Sequence, residues 1–339
     1  MHPALLGLIT IVLGVGGCVG YFWLSNFVLD RFIFPPTGTN AGRNINRANI
    51  IRPWLFLFPA LFALSIYLAY PVIETIRLSL TERVTQADGS TTYDFVGLAN
   101  YAQMMNEPKF WEALRNNMLW LIVVPALSTA FGLLAAQLTD RIWWGSIAKS
   151  LIFMPMAISF VGAAVIWKLV YDARPPGTEQ IGILNAIYVW FSGNEPQQWL
   201  TVPFWNSFLL MIVLVWIQTG FAMVILSAAL RGIPEETVEA AIVDGANPFQ
   251  IFFKIKVPQI MGTIVVVWTT ITIVVLKVFD IVFAMTNGQW ETQVLANYMY
   301  DKLFRANDWG VGSASAMVIM LLVTPILVWN VYNARKEMK

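Results

Sequence analysis

The stretch that decides the fold runs from Leu230 to Ile260 and reads LRGIPEETVEAAIVDGANPFQIFFKIKVPQI. It is a polar, charged interruption between two long apolar runs. A plain connection between neighbouring helices needs only about 2–8 residues. This segment, called the charged loop below, is therefore long enough to have structure of its own and to form a docking surface.

Helix start and stop signals divide the charged loop into two short helices joined by a tight turn. Pro234 suits the first turn of one helix, and Gly245 can end it in the left-handed conformation that glycine adopts without steric cost. Asn247 is a favourable N-cap for the second helix, with Pro248 at its first position. Pro258 is expected to stop that second helix.

The composition around the charged loop is that of a polytopic membrane protein. The chain is 58% hydrophobic and 12% charged, about half the charge of an average soluble domain. Uninterrupted apolar runs of about 20 residues predict spanning helices and exclude a β-barrel, whose strands alternate over about 10 residues. We predict an all-α integral membrane fold with about seven spans, at 4–29, 54–74, 118–138, 150–171, 204–229, 261–285 and 314–333.

The distribution of Lys and Arg predicts the orientation of these spans. With the N-terminus outside, the inward segments carry 12 of the 21 basic residues and the outward segments carry seven. The C-terminus and the charged loop are then cytoplasmic. The first apolar run is too long for a signal-peptide core, so we expect a retained first span. Its Gly16-x-x-x-Gly20 spacing either allows a close helix contact or is incidental.

Several functional classes have no support in the sequence. A net charge of +1 makes no case for nucleic-acid binding. One Cys and one His cannot build a zinc or haem site, so we expect no metal. The chain has no Gly-x-x-x-x-Gly-Lys-Ser/Thr phosphate loop, and we therefore expect no enzyme activity in this chain.

The charged loop resembles the EAA loop of bacterial ABC-importer permeases. The similarity rests on Glu239-Ala240-Ala241, then Gly245, then Ile255-x-Val257-Pro258. Val257 departs mildly from the usual leucine of that pattern. The fixed residues are spread over 20 positions, which makes the resemblance specific.

The resemblance extends from about residue 54 to the C-terminus. Phe95-Val96-Gly97-Leu98-Ala99-Asn100-Tyr101 looks like the outer segment before a permease core, and Thr286-Asn287-Gly288 also fits. Together these motifs resemble the maltose-type (MalF-like) sugar permeases, in style the α-glucoside subgroup. The implied layout is a six-helix core of an ABC type I importer permease over 54–339, preceded by an added helix and basic cytoplasmic linker over 1–53.

The family resemblance implies partners and roles. We expect a second permease subunit, a cytoplasmic ATPase dimer that binds ATP and Mg, and a periplasmic or lipid-anchored binding protein. The cargo would be an α-glucoside, a maltose- or trehalose-like oligosaccharide, or a glycosylated osmolyte, carried across the bacterial inner membrane. The residues implied in contact with the ATPase are Glu239, Ala240, Ala241, Gly245, Ile255 and Pro258.

Polar residues inside predicted spans are candidates for the sugar site. Lys277 and Asp280 are three apart, so on one helix they would share a face and could form a purely structural pair. Trp216, Gln218 and Thr219 offer the stacking and hydrogen-bonding groups that sugars require. An interhelical hydrogen bond would satisfy Gln218 equally well.

The main alternative is a secondary transporter driven by an ion gradient. That mechanism predicts an inverted repeat and acidic residues at broken helices near the midplane. The sequence shows no convincing repeat, and Asp280 is its only candidate residue. A membrane-embedded enzyme has less support still, because no His–Asp cluster or activated nucleophile is present.

Overall fold

Apolar helices make up most of the chain, as its composition predicts. The computed structural model describes residues 3–38, 40–85, 91–140 and 142–337, and the structure is mostly helical (78%). Within these ranges, five helices are long and apolar enough to cross a membrane, or up to seven if each bent helix pair counts as one span. The expected all-α membrane fold with about seven spans is confirmed. The chain divides into two compact units, Met1–Glu74 and Thr75–Lys339.

The first unit is built from two long helical runs. The predicted span 54–74 lies inside a much longer helix that runs without interruption from Ala41 to Ser79. Pro53, immediately before the predicted start of this span, is an interior residue of that helix. A proline removes only one bond of the backbone ladder, and this helix has turns on both sides to hold it. The segments are α1 (Pro3–Val28) with a π turn (Leu29–Ile33), α2 (Ala41–Leu64) with a π turn (Ser65–Ala69), and α3 (Tyr70–Ser79).

A small hairpin and a short helix follow α3. Strands β1 (Thr81–Thr85) and β2 (Thr91–Phe95) pair antiparallel, and α4 covers Ala99–Asn106. The buried amide of Asn100 donates to the carbonyl oxygens of Ser79 (3.0 Å) and Thr81 (2.9 Å). One asparagine thus ties the hairpin to the start of α4.

The second unit is organised around a tightly packed helix pair. The remaining helices are α5 (Pro108–Thr139), α6 (Gly145–Phe153), α7 (Phe160–Val170), α8 (Ile183–Ser192), α9 (Trp205–Arg231), α10 (Glu235–Val243), α11 (Pro248–Gln250), α12 (Val257–Gln259), α13 (Met261–Leu276), α14 (Asp280–Met285), α15 (Leu295–Tyr300) and α16 (Trp309–Glu337). Of these, α5 and α9 bury each other's apolar side chains: Trp120, Val124, Leu214, Met223 and Leu226 are at most 1% exposed.

Two predicted spans are broken rather than straight. The expected helix 150–171 bends by 105° between the segments Gly145–Ala157 and Phe160–Val170. Pro155 lies in the short 3₁₀ turn before the bend, and Ser159 caps the new helix by accepting from the amide of Gly162 (3.1 Å). The expected helix 261–285 ends at Leu276 and restarts as α14. A continuous run of apolar residues has the same pattern whether it forms one straight helix or two consecutive helices, so the sequence did not show these breaks.

An irregular turn after α14 is held by three asparagines. Asn287, Trp290 and Glu291 adopt positive φ, which costs free energy unless the surroundings hold it. Asn116 of α5 donates to the carbonyls of Glu291 and Gln293 (both 2.8 Å), and Asn206 of α9 donates to that of Trp290 (2.6 Å). Asn117 accepts from the amide of Leu295 (2.8 Å). The starts of α5 and α9 therefore hold this turn together.

The close approach of α5 and α9 depends on Gly132. A β-carbon at this position would lie 2.4 Å from Cβ of Ala222 and 2.9 Å from the amide nitrogen of Met223. We expect Gly132→Ala to lower the free energy of unfolding by about 1–3 kcal/mol, because the helices must separate. The matched control is Gly14→Ala in α1, where no atom lies within 4 Å of the added carbon. Thermal unfolding in detergent measures both, and equal midpoints for the two variants would contradict the assignment.

Candidate functional site

The first half of the charged loop folds as predicted. Pro234 precedes α10, and Glu235 and Glu236 occupy its first turn, where negative charge is favourable for the helix dipole. Gly245 has φ +81°. The amide of Ala246 donates to the carbonyl of Ala241 (2.9 Å), which closes the helix end. The predicted turn between two helices is therefore present.

The second half begins with a capping box and ends later than predicted. The side chain of Asn247 accepts from the amide of Gln250, and the side chain of Gln250 accepts from the amide of Asn247 (both 2.9 Å). Pro258 does not stop the helix: it lies within α12, which continues to Gln259. A π turn over Ile251–Lys256 precedes it. Such a turn displaces the backbone bonds by one residue, so that the missing N–H of a proline is tolerated.

The charged loop presents an apolar surface that nothing in the described chain covers. Its exposed side chains are Ile242, Val243, Phe249 and Phe253, at 58, 85, 77 and 62% exposure. A group of large exposed apolar residues on a polar segment marks an interaction site. These four residues were not among our predictions. The sequence did carry a signal for this surface, because large apolar residues occur there in a segment otherwise rich in charge.

The predicted coupling residues differ in exposure. Glu239 and Ala240 are exposed, as are Gly245 and Pro258, whereas Ile255 is half-buried. Ala241 is buried and packs α10 onto the rest of the loop. The Glu239 carboxylate lines a cavity of about 510 Å³ together with Glu235 and Asp140, and across the described ranges it forms no ion pair. The basic residues Arg231 and Lys256 line the same cavity.

Asp140 connects the charged loop to three helices. It follows the last residue of α5, and its Oδ1 accepts from Arg231 (2.9 Å) and Ser227 (3.0 Å) of α9 and from Lys149 of α6. Burial by itself raises the pKa of the Asp140 carboxyl, but the hydrogen bonds from Lys149, Arg231 and Ser227 outweigh it and hold that pKa below its ordinary value of 3.8. Sequence reasoning missed this site, because its members lie up to 91 residues apart.

The bend between α6 and α7 opens a second cavity, of about 540 Å³. Two predicted sugar-site residues line it, Gln218 of α9 and Asp280 at the start of α14. Neither side chain makes a hydrogen bond or ion pair within the residues that the structure describes. The other lining residues, which we did not predict, are Met156, Ile158, Ser159, Phe160, Val161, Ile217, Phe221, Thr270 and Val274. An apolar cavity with a few unsatisfied polar groups is the usual form of a small-molecule site.

The remaining sugar-site candidates lie elsewhere. Trp216 packs edge-on against Trp167, with ring centroids 5.7 Å apart, and the hydroxyl of Thr219 donates to the carbonyl of Val215 (2.7 Å). Lys277 is exposed and ends α13. A structural Lys277–Asp280 pair, the alternative to a sugar-binding role, is not formed among the described residues, because the helix breaks between the two.

The Asp140 network predicts a pH-dependent contribution to stability. A carboxyl whose pKa is lowered on folding stabilises the protein fully above its ordinary pKa, and loses this contribution as the pH falls through the lowered value. Asp140→Asn should lower the free energy of unfolding by about 2 kcal/mol at pH 7, and the difference should shrink below pH 3.8. The control is Asp244→Asn, which removes an exposed carboxylate of the charged loop. Identical thermal unfolding of Asp140→Asn and the unsubstituted protein at pH 7 would contradict the network's role.

Comparison with known proteins identifies the family. Residues 97–337 match the family described as "Binding-protein-dependent transport system inner membrane component". The alpha-glucoside transport system permease protein AglF of Rhizobium meliloti (strain 1021) is 63% identical over 99% of both chains. The osmoprotective compounds uptake permease protein GgtC of Synechocystis sp. is 47% identical over 84% of this chain and 99% of its own. A chain of a bacterial ABC transporter involved in alginate import shares the fold, with a TM-score of 0.71, 19% identity, and coverage of 88% of this chain and 99% of its own.

The match covers well over half of the chain and includes the charged loop, both cavities and the broken helices. The protein therefore belongs to the ABC permease family of binding-protein-dependent transport systems, and is a multi-pass protein of the inner membrane.

Proposed function

We propose that this chain is the permease subunit of an ABC importer that takes up α-glucosides. The observation that carries the proposal is the 63% identity, over 99% of both chains, to a permease named for α-glucoside transport. A second relative is named for the uptake of osmoprotective compounds. We therefore include a glycosylated osmolyte among the proposed substrates. The chain would form half of the pathway, and a second permease subunit would form the other half.

The charged loop would bind the cytoplasmic ATPase. Its exposed Val243 and Phe249 give the apolar area that a protein interface requires, and Glu239, which forms no ion pair with the described residues, gives a partner for a basic side chain. ATP and Mg would be bound in the ATPase dimer rather than here. This assignment places the loop and the C-terminus in the cytoplasm and the N-terminus outside, and a sugar-binding protein would dock on the opposite side.

The sugar would pass the cavity at the bend between α6 and α7. Gln218 and Asp280 offer one amide and one carboxylate for hydroxyl groups, and the half-buried ring of Phe160 offers an apolar face. Movement of the charged loop would reach this cavity through Asp140, which holds the ends of α5 and α9 together. Family membership leaves the ion-gradient-driven transporter without support.

The turn at Gly245 provides a test of coupling. A β-branched or bulky residue at positive φ is strained by about 1–2 kcal/mol, which corresponds to about a tenfold loss of the docking conformation. We expect Gly245→Leu to reduce sugar-stimulated ATP hydrolysis and uptake by the purified complex about tenfold, and Gly245→Asn, which tolerates positive φ, to retain more of both. The control is Gly232→Ala in the same loop, where the added carbon meets nothing closer than 3.4 Å. Unchanged uptake by Gly245→Leu would refute the coupling role.

The cavity residues provide a separate test of the pathway. Asp280→Leu and Gln218→Leu should each reduce the uptake of maltose by about tenfold, because each removes a hydrogen bond to the passing sugar. ATP hydrolysis stimulated by the loaded binding protein should persist. Thr219→Val is the control, since its hydroxyl already bonds within α9. If the control reduces uptake as much as the two cavity variants, the cavity is not the sugar site.

A further inference from the structure

The turn between α1 and α2 and the start of α2 carry positive charge that no acidic side chain in the described residues balances. Asp30 is the only acidic residue among the first 52, and Arg52 already donates to both of its carboxylate oxygens (2.7 Å each). Arg31, Arg43 and Arg47 are exposed. Within the described part of the chain, none of the three forms an ion pair. The turn therefore attracts an anion from outside the chain.

An apolar groove leads away from this turn along α1. It has a volume of about 900 Å³. Phe22, Trp23 and Phe27 line its apolar part, and Asn26 and Arg31 lie on its polar side. The groove thus combines an anion-attracting end with an apolar wall, as an amphiphile requires. A soluble anion would contact only the basic residues at the turn and would make no contact with the aromatic side chains of the groove.

The length of the groove distinguishes a lipid from a protein helix. The helical part of its lining extends from Val19 to Arg31, which corresponds to about 18 Å at the rise of an α-helix, and Pro35, Pro36 and Thr37 line its end at the turn. One leaflet contributes about half of the 30 Å hydrocarbon core. The groove therefore matches one acyl chain in one leaflet, whereas a spanning helix from another subunit would need a contact about twice as long.

We propose that this groove binds an anionic phospholipid. The headgroup phosphate contacts Arg31, while Arg43 and Arg47, one helical turn apart on α2, add to the positive potential around it. The acyl chain lies against Phe22, Trp23 and Phe27. The carboxylate of Asp30 also lines the groove, and its ion pair with Arg52 prevents it from repelling the phosphate. The site anchors the added N-terminal unit to the leaflet on the side of the turn.

The test measures lipid retention by the complete purified complex. The complex is incubated with phosphatidylglycerol or with phosphatidylcholine of the same acyl chains, and native mass spectrometry counts the lipids that remain bound. We expect phosphatidylglycerol to be retained preferentially. Arg31→Gln should weaken its retention by about fivefold, the effect of one basic residue at an anionic lipid surface, and Arg31→Lys should retain it.

Two further variants complete the test. Arg174→Gln removes an exposed arginine outside the N-terminal unit and should leave retention unchanged. Arg43→Gln combined with Arg47→Gln should weaken retention without altering the groove wall, which keeps the proposal testable if Arg31→Gln does not assemble. Equal retention of the two lipids, or retention unaffected by both the Arg31→Gln and the double variant, would overturn the proposal. Cross-linking of a Trp23→Cys variant to the second permease, with no lipid retained, would assign the groove to that subunit instead.

Discussion

The contact between α5 and α9 is the constraint on which the second unit depends. Gly132 lets the two backbones approach until Cβ of Ala222 fills the space where a side chain would be. Membrane helices gain no hydrophobic free energy from leaving lipid, so close van der Waals packing of this kind must hold them together. The pair then serves as a rigid frame for what is attached at its two ends.

Each end of this frame holds one functional element through polar side chains. At one end, Asp140 joins α5 to Arg231 and Ser227 of α9, where the charged loop begins. At the other end, Asn116 and Asn206 hold the irregular turn after α14. These bonds tie the charged loop to one end of the helix pair and the irregular turn to the other.

Breaks in the spans create the proposed sugar pathway. Backbone groups freed at a helix break cannot bond to lipid, so breaks occur where protein or a polar cavity surrounds them. The breaks before Ser159 and before Asp280 both border the same cavity. The amide of Gln218 and the carboxylate of Asp280, neither bonded to any described residue, then lie beside aromatic and aliphatic side chains, the combination suited to a sugar with polar edges and apolar faces.

Local signals predicted local structure well. Gly245 and the Asn247–Pro248 pair lie where capping rules place them, because those rules involve neighbours in the chain. The prediction that Pro258 stops the second helix was wrong. The π turn before this proline changed which backbone N–H groups the helix needs. The glycine spacing at Gly16 and Gly20 was incidental within this chain: no atom lies within 4 Å of either added carbon, and the decisive glycine is Gly132.

The sequence by itself determined the membrane class, the approximate spans, the helix–turn–helix of the charged loop and the family, because hydropathy, capping and motif spacing are all read along the chain. Only the tertiary structure decided that Lys277 and Asp280 belong to different helices, that Gln218 and Asp280 share a cavity, and that Asp140 meets Arg231. These results depend on which distant residues are brought together, and packing between helices, rather than any local preference, determines that.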